Sequence, residues 1–146
     1  MNGPQTPDFT QAVIDYIQEA GIATFGVDMS GSFYPSTAPD ECLLVRNSGG
    51  PEPSKEVPMQ RPMIQVLSRA PDYPEAAARI WRVYELFHGY MDGDDRWVSH
   101  HNYWMDDFYV YESRAIQVPG DISPDEKGRA ELSVNFMFRI LIPARN

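Results

Sequence analysis

From Ala130 to Ile142 the chain reads as a strand and nothing else. Ala130, Leu132, Val134, Phe136, Phe138, Ile140 and Ile142 alternate with Glu131, Ser133, Asn135, Met137 and Arg139. A period of two over 13 residues places every second side chain on one face. A strand this long with one apolar face needs neighbours to pair with and a layer to cover it. The chain therefore has to build a sheet.

Two amphipathic helices are available as that covering layer. Thr6-Pro7-Asp8 has the chemistry of a helix start: a capping hydroxyl, Pro in the first turn, then an acid. Phe9, Val13, Tyr16, Ile17 and Ala20 follow at helical spacing, and Gly21 is a natural stop, which predicts a helix over 7–20. The second helix starts at Asp72-Tyr73-Pro74-Glu75. Its stripe is Ala76, Ala77, Ile80, Val83, Tyr84 and Phe87, and it closes at His88-Gly89. Arg79, Arg82 and Glu85 lie away from that stripe. Trp81 flanks it, and Leu86 falls among the arginines.

Further strands are predicted at 22–29, at 42–46 ended by Ser48-Gly49-Gly50, at 62–67, and at 108–118 with an irregularity near Glu112-Ser113-Arg114. Residues 30–41 are turn-rich. Residues 47–60 form a Pro/Gly-rich segment, expected to be an exposed and mobile loop. Residues 88–107 read as an aromatic and acidic loop. The predicted fold is α+β: one antiparallel or mixed β-sheet of about five strands, with two helices packed on one face, in a single domain over 1–146.

Charge and cysteine content narrow the function. Asp and Glu number 21 against 12 Lys and Arg, a net charge of −9. The excess is spread: residues 1–73 carry 4 basic and 9 acidic residues, and 74–146 carry 8 and 12. No basic arm exists for nucleic acid or an anionic membrane. Ten of the 12 basic residues are Arg, the better partner for bidentate interface pairs. A lone Cys42 excludes an internal disulfide framework and a Cys-based zinc site. There is no apolar run of membrane-spanning length, and Met1–Gln5 has no signal-peptide character. An intracellular or particle-associated soluble protein is expected.

Catalytic motifs are missing. There is no Gly-x-Ser-x-Gly, and Gly49-Gly50 is not followed by Gly-Lys-Ser/Thr. The expectation is a protein that is not an enzyme and holds no cofactor. Asp92, Asp94, His100 and His101 leave one alternative of another class, a small metal-dependent enzyme or ligand-binding domain. Against it, Asp92-Gly93-Asp94-Asp95 lacks the spacing of a calcium loop, and adjacent histidines on a strand point to opposite faces. The aromatics say more. Trp97, Tyr103 and Trp104 exceed what one loop can bury, and surplus aromatics with Arg are interface anchors. Together with Trp81, Leu86, Arg61 and Arg129 they form the expected partner interface.

Leu44-Val45-Arg46-Asn47-Ser48-Gly49-Gly50, then Arg61-Pro62-Met63-Ile64-Gln65-Val66 with Arg69, resembles a strand, Gly-Gly, loop, strand pattern of tailed-bacteriophage proteins. The helix at Ala76–Leu86 follows in its place. Then come Pro119, Asp125-Glu126-Lys127-Gly128-Arg129 and Leu132-Ser133-Val134-Asn135-Phe136, similar to that group's last turn and strand. The group is the phage minor capsid or tail-terminator (tail-completion) family. The resemblance covers roughly residues 40–142 and rests on order and spacing. Residues 88–107 and 51–60 depart from it.

The resemblance implies a structural virion protein at the head–tail junction, present in the host cytoplasm during assembly. It implies a homo-oligomeric ring, usually a hexamer, on the head-proximal end of the tail tube. The implied partners are the tail tube protein and a head-completion or connector protein, with DNA passing through the channel unbound and no membrane. The alternative within the same class is a head-completion or connector adaptor.

Overall fold

The computed structural model describes residues 8–144. Its elements run α1 (Phe9–Glu19), β1 (Met29–Gly31), β2 (Cys42–Gly49), β3 (Met59–Gln60), β4 (Met63–Ala70), α2 (Tyr73–Phe87), β5 (Gly89–Met91), β6 (Trp97–Ser99), β7 (His101–Met105), β8 (Phe108–Ala115), β9 (Gly120–Ile122) and β10 (Ala130–Leu141).

The alternating segment is β10, and it is the centre of the sheet. On one side it pairs β4 and then β3; on the other it pairs β9 and then β8. The main order is β1-β2-β4-β10-β8-β7. Only β1 and β2 run parallel, so the sheet is mixed. It holds eight strands, more than the expected five. The strands beyond those five are short: β3, β7 and β9 have two, five and three residues, too few to show a clear period in the sequence.

Both helices lie on one face, as expected. Leu132, Val134, Phe136, Phe138 and Ile140 point into that face and are fully buried. Phe138 sits at the meeting point, with Phe9 of α1 at 4.9 Å and Phe87 of α2 at 5.3 Å between ring centroids, both edge-on. A single buried cluster joins α1 and α2 to β2, β4, β8 and β10. Each large side chain removed from water there contributes roughly 1.5–3 kcal/mol.

Local chemistry sets the helix ends. Asp72 caps α2 by accepting from the Glu75 amide at 3.1 Å. Asp8 caps α1 by accepting from the Gln11 amide at 3.1 Å. The expected Thr6-Pro7 start lies outside the described residues.

Two further expectations need correcting. Residues 22–28 hold a bend, an isolated bridge at Phe25 and a turn over 26–28, and of the predicted strand only Met29 enters one. The segment is held by side chains: Asp28 accepts from the Thr24 amide at 2.7 Å, and Gln18 accepts from the Phe25 amide at 2.9 Å. Arg79 of α2 then clamps it through Asp28 at 3.0 Å and Glu41 at 3.3 Å. Residues 88–107 are no loop. They hold a separate two-stranded ribbon, β5 with β6, followed by the edge strand β7. The irregularity expected near Glu112 in β8 is present: Tyr111 is an extra residue between the Val110–Ile140 and Glu112–Arg139 pairs.

Candidate assembly interface

The interface residues expected from the sequence scatter into three environments. The first is the interior. Tyr103 stacks on His100 at 3.8 Å and lies 5.4 Å from Tyr16. Its hydroxyl donates to Ser113 Oγ at 2.7 Å, and burial pushes its ionisation upward. Leu86 is half-buried against the core and so is not among the freely exposed apolar side chains.

The second environment is the surface. Trp81 is exposed on α2 and meets Tyr84 edge-on at 5.0 Å. Trp97 stands on the ribbon, 53% exposed, against His88 at 5.7 Å. Trp104 is 64% exposed and meets Tyr109 at 5.2 Å. The pairing of Trp104 with Tyr109, and of Tyr109 with Leu141, places all three on the helix-free face of the sheet.

The third environment is the loops. Arg61 is exposed and lines a cavity of about 520 Å³ with Pro51, Glu52 and Arg139. Arg129 is committed within its own chain, to Asp125 at 2.6 Å and Asp40 at 3.0 Å. That pair holds Asp125 below the usual carboxylate range, mainly through the Arg129 amide.

The acid and histidine residues of the metal alternative do not converge. Asp92 accepts from the Asp94 and Arg96 amides at 2.8 and 3.0 Å, which makes it the organiser of the β5–β6 turn. Asp94 pairs Arg96 at 3.0 Å. His100 Nε2 meets the Tyr16 hydroxyl at 2.8 Å, and His101 Nδ1 meets Ser99 at 3.2 Å. Burial holds the His100 imidazole below its ordinary range, toward the neutral form. Among the described residues no three His, Cys, Asp or Glu side chains gather as metal ligands would.

Sequence reasoning passed over one surface. Phe25, Val27 and Phe33 are exposed, Phe33 at 69%, around a pocket of about 230 Å³ beside β1. Their signal was available: three large apolar residues in a segment dense with turn formers. Tyr90, Met91 and Val98 add a second exposed group on the ribbon. Exposed apolar groups gathered in this way are candidates for contact surfaces.

These surfaces have a setting in a known family. A model of the bacteriophage tail terminator proteins matches residues 16–142. The chain belongs to the tail terminator family. No curated protein matches the chain. Members of this family are structural proteins of the phage tail, and the match makes the chain a virion component. No helix among the described residues is long and apolar enough to cross a membrane. The match begins at Tyr16 inside α1 and ends one residue past β10, so it takes in the whole sheet and α2.

Proposed function

We propose that this protein closes into a six-membered ring on the head-proximal end of the tail tube. The ring stops tube polymerisation and offers a docking face to the head connector. The observation that carries this reading is the apolar surface left uncovered at both ends of the strand order. Phe25, Val27 and Phe33 lie beside the β1 edge, and Trp104 lies on the β7 edge. Two different patches at opposite edges make head-to-tail contacts, and such contacts close into a ring when the rotation per subunit allows it. Short edge strands of three and five residues keep this pairing from running on as open aggregation.

Catalysis forms no part of the proposal. The mechanism is shape and surface complementarity, with interface burial opposing the entropy of assembly. The net charge of −9 suits a channel that DNA crosses without sticking. As a hypothesis, acids that face the channel, changed to Lys, slow DNA passage; unchanged ejection kinetics would refute that part.

Light scattering across a concentration series, with negative-stain imaging, tests the ring. The expected result is a particle of six subunits with an open centre, either free or seated on tube ends. Monomers that never assemble, even with tail tubes present, contradict it. Rings that ignore the tube and bind the head connector alone would reassign the protein as a connector adaptor.

A further inference from the structure

The β5–β6 ribbon is a poor structure on its own. Its two strands have three residues each and join no other strand among the described residues. Isolated two-stranded ribbons are marginal in water. This one also exposes Tyr90, Met91, Trp97 and Val98. It is anchored at its base, where Gly89 lies under Trp97 and Trp97 meets His88. Its tip carries Asp92, Asp94 and Asp95 against Arg96, a net of −2.

The helix-free face of the sheet has the opposite character. One end is covered, because Arg69 holds the preceding loop there through the Pro39 and Asp40 carbonyls and stacks on Tyr34 at 4.0 Å. The other end is open. It presents Arg46, Arg114 and Arg139, with Arg61 beside them, against Glu52 and Glu112, a net of +2 in a chain of −9. Of these four arginines only Arg114 reaches a carboxylate among the described residues, Glu112 at 3.8 Å. Met63 and Met137 pair with each other between the arginines and are half-buried.

We infer that the ribbon of one copy lies across the open helix-free face of the next copy. The acidic tip meets the four arginines, and the apolar strands cover the methionines. The charges are opposite in sign and equal in size, and each surface supplies what the other lacks. Aromatic and Arg groups brought together in this way are the usual anchors of an interface. The inference rests on the ring reading and adds a second contact between neighbouring copies to the one at the sheet edges. The occupant is a second copy of this chain because both halves of the contact are present on every copy.

The test is charge reversal with rescue, on the full chain. One variant carries Asp94→Arg with Asp95→Asn, which spares Asp92 and keeps a residue tolerant of the positive φ of 58° at position 95. The other carries Arg114→Glu with Arg139→Glu; Arg114→Gln with Arg139→Gln is the milder form if that one misfolds. Thermal melts confirm that each variant folds. The expected result is that each variant alone needs at least tenfold more protein to form rings, and that the combined variant recovers most of the loss. Wild-type rings with both variants assembling normally overturn the inference and leave the ring reading intact. Variants that form rings but fail to cap tubes would assign the ribbon to the tube protein and overturn the second-copy assignment. Wild-type protein that forms no ring in solution or on tube ends defeats the ring reading and the inference together.

Discussion

The Ser113 hydroxyl donates to the Phe87 carbonyl at 2.7 Å and so ties β8 to the last turn of α2. That carbonyl is among the helix-end acceptors that lack an intrahelical partner. The same Ser113 oxygen accepts from Tyr103 on β7, so one small hydroxyl links a helix and two strands. Next to it, His88 Nδ1 accepts from the Ala115 amide at 3.0 Å. The ribbon departs from this point, so its base is fixed.

Ser113→Ala removes the link and leaves two groups short of a partner. The expected cost is about 2 kcal/mol, a fall in Tm of roughly 6 °C for a domain of this size. Ring formation by the folded fraction is unchanged, since Ser113 is buried. Differential scanning calorimetry with light scattering checks both halves.

Gly89→Ala displaces the ribbon. Gly89 has φ of 143°, and a Cβ there would lie 2.5 Å from the Val98 carbonyl and 2.8 Å from the Trp97 ring. The β5–β6 pairing must open while the core remains. The expected outcome is a folded protein whose assembly is weakened at least tenfold. Hydrogen exchange across 89–99 reports the opening.

Leu86→Ala and Trp104→Ala separate packing from assembly. Leu86 packs on the core, so its truncation costs about 2 kcal/mol. Trp104 stands 64% exposed, and its truncation leaves stability within about 0.5 kcal/mol while weakening assembly. Chemical denaturation and sedimentation of the two variants should give opposite patterns.

Asp106 gives a pH dependence. Partial withdrawal from water, a hydrogen bond with Asp15, and the nearby Glu19 and Asp107 push its carboxyl up to about 6. The folded state therefore prefers the neutral acid. The stabilisation this brings is full below about pH 4 and is lost as the pH rises through 6. Solvent around the site screens the effect to less than about 1 kcal/mol. Asp106→Asn should raise Tm at pH 7 and leave it unchanged at pH 4; an equal shift at both would refute the assignment.

Legibility in the sequence followed burial geometry. β10 showed itself because it lies between two neighbours with one face sealed by helices, which imposes a period of two over its length. α2 showed itself through its Asp72 cap and its Ala76, Ile80, Val83 and Phe87 stripe. The ribbon was hidden because three-residue strands have no period and its apolar residues are exposed on both faces. The 22–28 segment misled because Ile22 and Ala23 are buried as a strand's would be, while Asp28 and Gln18 satisfy the backbone as turns. Leu86 misled because the core reaches further around α2 than a narrow stripe suggests. Arg129 looked available for a partner because Asp40, which it meets, lies 89 residues away in sequence.

Tube capping is tested most directly by adding the protein to tail tube subunits as they polymerise and imaging the products by electron microscopy. Tubes should stop lengthening, with one ring of density at a single end of each. Tubes that grow to the same lengths with and without the protein, or protein bound along their sides, would contradict the capping role.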